Sequence, residues 1–309
     1  MVSKPYLIIV AGPTASGKAT LPSKVIKHAK LNSRGVKSFL IDDLVEQNPY
    51  FKQKVGDYIN RKGKTYADIK SMFLNPTEAM LNELNNYYFI ARDSTNCNSG
   101  GKCVNKNDCN TCALKLDIGM KKAFDKGANM VFETKGSYWP DWVFNMYKDQ
   151  IKRHKYTVIV SWSIVELCEL LIRNKTRAIK SLDAFLLDPT SSPPRLPDIR
   201  IGPYTMDLLK IINVFKKHNS SKKLCTSKTA KCIRLLLFDN NTTESKLLYD
   251  SSVSPNEIGN IAIDKYLLGN PDFFALINRR NNAKKVVKPK EKLLRKRSIK
   301  LTKKKDINI

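Results

Sequence analysis

Short apolar runs alternate with helical patterns of apolar residues along most of the chain. Runs bounded by Gly, Pro or polar residues are typical of buried strands, and they occur at 6–11, 37–41, 129–132, 156–162, 232–238 and 247–249. Apolar residues three or four positions apart predict helices after the first run, from Pro76, over 114–126, up to about Arg177, over 204–218, and near 256–268 and 271–280. This alternation predicts an α/β fold with a mostly parallel sheet.

A glycine-containing loop connects the first predicted strand to the first predicted helix. Two glycines let the backbone curl so that its N–H groups face phosphate oxygens, and a lysine that we expect to be exposed reaches the outer phosphates. The residues predicted to bind ATP are Gly12, Pro13, Thr14, Ala15, Ser16, Gly17, Lys18, Ala19 and Thr20. The alternative is a glycine turn that binds nothing.

Ala19 departs from the usual pattern of such loops. A Ser or Thr hydroxyl normally follows the lysine and contacts the Mg²⁺ that accompanies the nucleotide. Thr20 comes one position too late, because successive helical side chains point about 100° apart. The sequence therefore predicts binding of ATP and Mg²⁺, but it favours nucleotide binding over efficient catalysis.

Three acidic residues are candidates for catalysis or substrate binding. Asp42 and Asp43 follow the second predicted strand, whose carboxyl end should lie beside the phosphate loop in a parallel sheet. Either one is a candidate base, and the alternative is that one of them caps the next helix. Glu133 ends the next predicted strand, where a carboxylate can contact substrate or water on Mg²⁺.

Basic residues mark a possible lid over the transferred phosphoryl group. A capping box of Ser163 and Glu166 predicts the start of a helix that should end near Arg177. Arg173 and Arg177 share one helix face, and Arg195 follows in a Pro/Ser-rich stretch. The alternative is a solvated helix end, since cations also suit a helix C-terminus.

Four cysteines lie in a polar insert at residues 96–112. Cys97, Cys103, Cys109 and Cys112 could hold a tetrahedral Zn²⁺, although only the last two have common ligand spacing. The alternative is a loop with reduced thiols. Seven cysteines in a chain without an export signal or a spanning segment predict a cytoplasmic or nuclear protein that is not secreted.

Positive charge is concentrated at the C-terminus. The net charge is +27, and residues 284–309 hold twelve Lys and Arg against two acidic residues. A block of like charge predicts a disordered tail over 281–309, used for nuclear import, nucleic-acid backbone contact or solubility. The preceding domain is predicted to span 1–280, with its lid region at about 173–200.

The order of these motifs resembles that of the zeta-toxin-like P-loop kinases. The likeness covers roughly residues 5–270 and includes the phosphate loop, Ile41 to Tyr50, Phe132 to Thr134, the helix with Arg173 and Arg177, and Leu235 to Asn240. It implies a three-layer kinase fold, with Lys18 on the ATP phosphates. It also implies Asp42 as the base, because Pro49 then falls at the family's spacing, and both lid arginines as phosphate ligands.

This resemblance implies a reaction. Family members are ATP-dependent phosphotransferases, and the bacterial toxins phosphorylate a nucleotide sugar such as UDP-N-acetylglucosamine. We therefore expect transfer of a γ-phosphoryl group to a hydroxyl of a small molecule, with Asp43, Glu133 and Arg195 near the acceptor. The alternatives are a nucleotide-binding protein without transfer activity, favoured by Ala19, and a nucleic-acid-binding protein or nucleic-acid kinase, favoured by the basic tail and by the positive charge of the remaining chain.

Overall fold

The computed structural model describes residues 4–63, 65–93, 111–134, 141–195, 215, 233–242 and 244–253. Cys97, Cys103 and Cys109 lie outside these residues, as do the basic tail and the helices predicted beyond residue 254. The helix predicted over 204–218 also lies outside them, apart from Phe215. The described residues belong to the first of two compact units, 1–258 and 259–309, and the predicted domain boundary at 280 stays a prediction.

Strands and helices alternate in the described part of the chain, which confirms the predicted α/β fold. In chain order they are β1 (Tyr6–Ala11), a 3₁₀ turn (Lys18–Thr20), α1 (Leu21–His28), β2 (Lys37–Phe39), α2 (Ile41–Glu46), α3 (Pro49–Lys62), α4 (Tyr66–Leu74), α5 (Glu78–Asp93), α6 (Cys112–Asp125), β3 (Met130–Thr134), α7 (Asp141–Met146), α8 (Lys148–Arg153), β4 (Thr157–Ile164), α9 (Leu167–Leu187), β5 (Ile233–Asp239) and β6 (Lys246–Asp250). No helix among these is long and apolar enough to cross a membrane.

The six strands form one sheet in the order β2-β3-β1-β4-β5-β6. The first five are parallel, and β6 runs antiparallel to β5. The carboxyl ends of five strands therefore meet at one edge of the sheet, which is where ligands bind in open α/β sheets. The glycine loop leaves β1 in the middle of this edge, between the ends of β3 and β4.

The central strand is covered on both faces. Every residue of β1 is buried. Tyr6, Ile8 and Val10 pack in one cluster with Leu21 and Val25 of α1, and the alternate residues of β1 are buried on the opposite face. Fully burying a Leu, Ile or Val side chain stabilises the folded state by about 1.5–3 kcal/mol. The packing of β1 therefore fixes the position at which the glycine loop begins.

Helix α9 is ten residues longer than predicted, since it ends at Leu187 and not near Arg177. Its buried side continues through Ala178, Leu182 and Phe185, and the last two join a cluster formed mainly by α2 to α5. Apolar packing therefore extends the helix beyond its basic residues. Arg173 and Arg177 lie in mid-helix, so the alternative of cations at a helix C-terminus is wrong for them.

Two local predictions near the sheet edge are also wrong. Ser163 is the penultimate residue of β4 and is buried, and Glu166 is the N-cap of α9 without a side-chain cap. The expected capping box is therefore absent at this helix start, because the Ser163 hydroxyl donates to the carbonyl of Ser16 instead. Strand β2 ends at Phe39, two residues before its predicted end.

Candidate active site

The glycine loop forms a tight turn with three positive φ angles. Gly12, Ala15 and Gly17 have φ angles of 151°, 64° and 79°, all in the region that favours glycine. A side chain at Gly12 would lie 2.8 Å from Ser16 Oγ, and one at Gly17 would collide with the amide of Asn240. Both glycines are therefore required by backbone conformation and by close packing.

Lys18 is buried, which corrects the expectation that it is exposed. The residue is 8% exposed, and its Nζ donates to the Pro13 carbonyl at 2.9 Å. The same Nζ lies 3.6 Å from Glu133 Oε1. The ammonium therefore lies between the start of the loop and the carboxyl end of β3.

Glu133 lies beside the loop because its strand pairs with β1, placing it opposite Val10. Burial raises the pKa of this carboxyl group. Lys18 lowers the pKa, whereas the negative charges of Asp42 and Asp43 raise it further, and the net shift is upward. The charges of Asp42 and Asp43 therefore act on Glu133 at this end of the sheet.

Asp42 and Asp43 lie in the first turn of α2 and not at a strand end. Leu40 is the N-cap of this helix, so the alternative that one of the aspartates caps it is wrong. Asp42 accepts a hydrogen bond from the Tyr88 hydroxyl, whereas Asp43 is exposed. Burial, together with the charge and hydrogen bond of Asp42, raises the pKa of Tyr88 far above its usual value. Tyr88 therefore stays a hydrogen-bond donor to this carboxylate.

A pocket of about 480 Å³, open to solvent and lined mainly by apolar atoms, lies along α9 and the segment that follows it, and we call it the basic pocket after its charged side chains. Its lining includes four cationic side chains, those of Arg173, Arg177, Lys180 and Arg195. The three on α9 recur at positions that share one helix face. The structure thus brings together the two predicted lid arginines and Arg195 around one cavity.

Arg195 and Arg173 already have protein partners. Arg195 binds Glu46 through two contacts, at 2.7 and 3.0 Å, and lies 4.0 Å from Asp43. Burial raises the pKa of Glu46, while Arg195 lowers it. Arg173 binds Glu169 and donates to the carbonyls of residues 240 and 241, each at 2.7 Å. A phosphate ligand would share these arginines with the protein.

Ala19 and Thr20, the second and last residues of the 3₁₀ turn, are both exposed. The Thr20 hydroxyl donates to the Gly17 carbonyl at 2.9 Å. This bond gives the side chain a local structural role, and the expectation that Thr20 does not replace the missing hydroxyl at position 19 stays a prediction.

Two residues at the back of the loop were missed by sequence reasoning. The Ser16 carbonyl accepts hydrogen bonds from the side chains of Ser163 and Asn240. Ser163 lies in β4, and Asn240 directly follows β5. Asn240 belongs to one of the motifs that carry the family resemblance, and this was the signal in the sequence that could have identified it as a site residue. The motif does not indicate what the Asn240 side chain contacts.

Cys112 is the one member of the cysteine set that the structure describes. It is buried at the start of α6, where its thiol lies 3.4 Å from the Leu44 carbonyl and 3.6 Å from the Asn48 amide. The described residues contain no group of three or more His, Cys, Asp or Glu side chains that could hold a metal ion. The zinc site stays a prediction.

No protein family model matches this chain, and no curated protein matches it. Among solved structures, the chain is similar to one from the PezAT chromosomal toxin–antitoxin system of Streptococcus pneumoniae, at 11% identity over 91% of this chain and 87% of that one, with a TM-score of 0.47. It is also similar to a proposed kinase from Chloroflexus aurantiacus, at 16% identity over 72% and 99% of the two chains, with a TM-score of 0.29. Because both TM-scores are below 0.5, nothing about this chain is inferred from either likeness.

Proposed function

We propose that this protein is an ATP-dependent phosphotransferase of the zeta-toxin-like P-loop kinase class. The observation that carries the proposal is the position of Lys18 in a glycine loop at the carboxyl end of the central strand, with its ammonium 3.6 Å from the Glu133 carboxylate. A lysine held at such a loop is suited to binding the β- and γ-phosphates of a nucleotide.

The proposed reaction joins the γ-phosphoryl group of ATP to a hydroxyl of the acceptor. Asp42 accepts the hydroxyl proton, a new P–O bond forms to the acceptor oxygen, and the bond to the β-phosphate oxygen breaks to release ADP. The Tyr88 hydroxyl orients Asp42. Lys18 and the loop N–H groups stabilise the charge that develops on the phosphoryl oxygens.

The basic pocket along α9 is the proposed acceptor site, with α9 as the lid helix. Four cationic side chains around about 480 Å³ suit an acceptor that itself carries phosphate, because arginine binds phosphate oxygens through paired hydrogen bonds. We therefore propose a nucleotide or a nucleotide sugar as the acceptor. Asp43 and Arg195 lie at the side of this pocket near α2 and would contact it.

Mg²⁺ would neutralise part of the phosphate charge, but the loop does not offer it the usual ligand. Ala19 has no hydroxyl, and the Thr20 hydroxyl is bonded to the Gly17 carbonyl. Proton removal by Asp42 and phosphate binding by Lys18 do not depend on a direct bond between this loop and a metal ion.

The same observation supports a second candidate function. A protein that binds ATP but transfers no phosphate needs Lys18 and the loop, but it does not need a hydroxyl at position 19 as a metal ligand. The two functions differ in whether a phosphoryl group leaves ATP, so an assay for transfer by the unmodified protein separates them.

The experiment compares three variants by ATP titration calorimetry and by ADP release in the presence of nucleotide sugars. We expect Lys18→Ala to lose ATP binding, and Asp42→Asn to keep ATP binding while losing transfer. Asp149→Asn is the matched control and should retain transfer, because Asp149 is also an aspartate in the first turn of a helix but lies outside the proposed site. Unchanged ATP affinity in Lys18→Ala would refute the nucleotide site, and ATP binding without transfer in the unmodified protein would select the second function.

A further inference from the structure

The Ser16 carbonyl is held at the back of the phosphate loop by two strands that lie far from it in sequence. Ser163 and Asn240 are 147 and 224 residues away from Ser16, and all three residues are buried. A backbone carbonyl has two lone pairs, so both donors can be satisfied at once. This carbonyl therefore has a fixed direction within the protein.

Fixing this carbonyl also fixes the N–H of Gly17. The two groups belong to the same peptide unit, which is planar and trans, so they point in opposite directions. With the Ser16 carbonyl turned toward β4 and the end of β5, the Gly17 N–H points to the other side of the loop. A peptide flip at this position would turn a carbonyl oxygen toward the phosphates and would repel them.

Asn240 is itself held in one orientation. Its backbone N–H donates to the Ile164 carbonyl at 2.8 Å, and its side-chain oxygen accepts from the Ser245 hydroxyl. Because the oxygen is used in this way, the amide nitrogen faces Ser16. Arg173 of α9 fixes the same turn by donating to the carbonyl of Asn240 at 2.7 Å.

We propose that Asn240 and Ser163 are positioning residues of the phosphate loop, which turn the Gly17 N–H toward the nucleotide. Arg173 supports them by holding the turn after β5, so that α9 is connected to the loop through Asn240. This inference rests on the proposed nucleotide site. It assigns Asn240 and Ser163 a role in phosphate affinity without contact to the phosphate itself.

The test compares Asn240→Ala with Asn241→Ala as the matched control. Asn241 lies in the same turn, but its side chain bonds to Glu166 and Asp239 and not to the loop. We expect Asn240→Ala to bind ATP about three- to tenfold more weakly, the range for loss of one hydrogen bond. The binding of inorganic triphosphate should weaken by the same factor, because the loop is proposed to contact only the phosphates of ATP. Ser163→Ala should also weaken the binding of ATP and triphosphate. It replaces Asn240→Ala in the test if that variant does not fold.

An amide NMR measurement separates this inference from the proposed function. The Gly17 N–H signal should shift in both Asn240→Ala and Ser163→Ala, and it should stay unchanged in Asn241→Ala. The Ser163 variant is needed because the Asn240 side chain also packs directly against Gly17. If the unmodified protein binds neither ATP nor triphosphate, the proposed function fails, and the Gly17 signal still decides the positioning role. An unchanged Gly17 signal in Asn240→Ala, or equal losses of affinity in both variants, would overturn the inference.

Discussion

The substitution Ala19→Ser should convert the loop into one that contacts Mg²⁺ directly. It restores a hydroxyl at the position that follows Lys18, where phosphate-binding loops usually carry a metal ligand. On the proposed function, the nucleotide and its metal lie beside this position. We expect the variant to bind Mg²⁺–ATP more tightly than the unmodified protein.

The size of the effect follows from the surroundings of residue 19. Ala19 is exposed, so an added hydroxyl displaces no packed atom, and the free energy of unfolding should change by less than about 0.5 kcal/mol. Loss of a partner even in the outer shell of a metal site lowers affinity about 10- to 100-fold. A restored direct ligand should therefore tighten binding by about tenfold or more, which is about 1.4 kcal/mol.

Titration calorimetry with ATP, in Mg²⁺ and in a chelator, measures this gain. The gain should appear only with Mg²⁺, because the hydroxyl acts through the metal. Thr20→Val is the control, and it should leave the affinity almost unchanged because the lost hydroxyl is bonded to the Gly17 carbonyl. Equal affinities of Ala19→Ser and the unmodified protein in Mg²⁺ would refute the reasoning, as would a loss of Mg²⁺–ATP binding in Thr20→Val.

Two further predictions concern hydrogen-bonded carboxylates. Tyr88→Phe removes the donor to Asp42, so transfer should slow by about tenfold or more with unchanged ATP affinity, and equal rates in a steady-state assay would exclude this role. Asp250 is buried, which favours a higher pKa, but hydrogen bonds from Arg234, His28 and the residue two positions on lower its pKa well below 3.8. Its stabilising effect is therefore fully present above the ordinary pKa, begins to be lost as the pH falls below that pKa, and is completely lost only below the lowered pKa of the folded state. The urea midpoint should fall as the pH is lowered from about 5 to about 2, and it should fall less in Asp250→Asn.

The parts of the site that depend on neighbouring residues were predictable from the sequence. An apolar run, a glycine pair and a following helical pattern predicted β1, the loop and α1, because each feature acts over a few residues. Alternation of elements also predicted the parallel sheet, and a parallel sheet places Glu133 next to the loop. The functional roles of these residues stay predictions.

The parts that depend on packing were not predicted. Lys18 was expected to be exposed because a charged residue in a loop usually is, but the end of β3 lies close enough to enclose it. The end of α9 was placed at its basic residues, although the apolar spacing of Leu182 and Phe185 signalled a longer helix. The contact of Asn240 with Ser16 depends on the order of strands in the sheet, which no local pattern specifies.

The distance in sequence between the loop and Asn240 has a consequence during synthesis of the chain. Residues 12–18 leave the ribosome early, but the residue proposed to orient them follows β5, more than two hundred positions later. At about 5–20 residues per second, this interval lasts roughly 10 to 45 seconds. On the proposed mechanism, a nascent chain carries the complete glycine loop long before the residue that orients the loop has been made. An unfinished or C-terminally truncated product that ends before β5 would therefore bind ATP more weakly than the full chain.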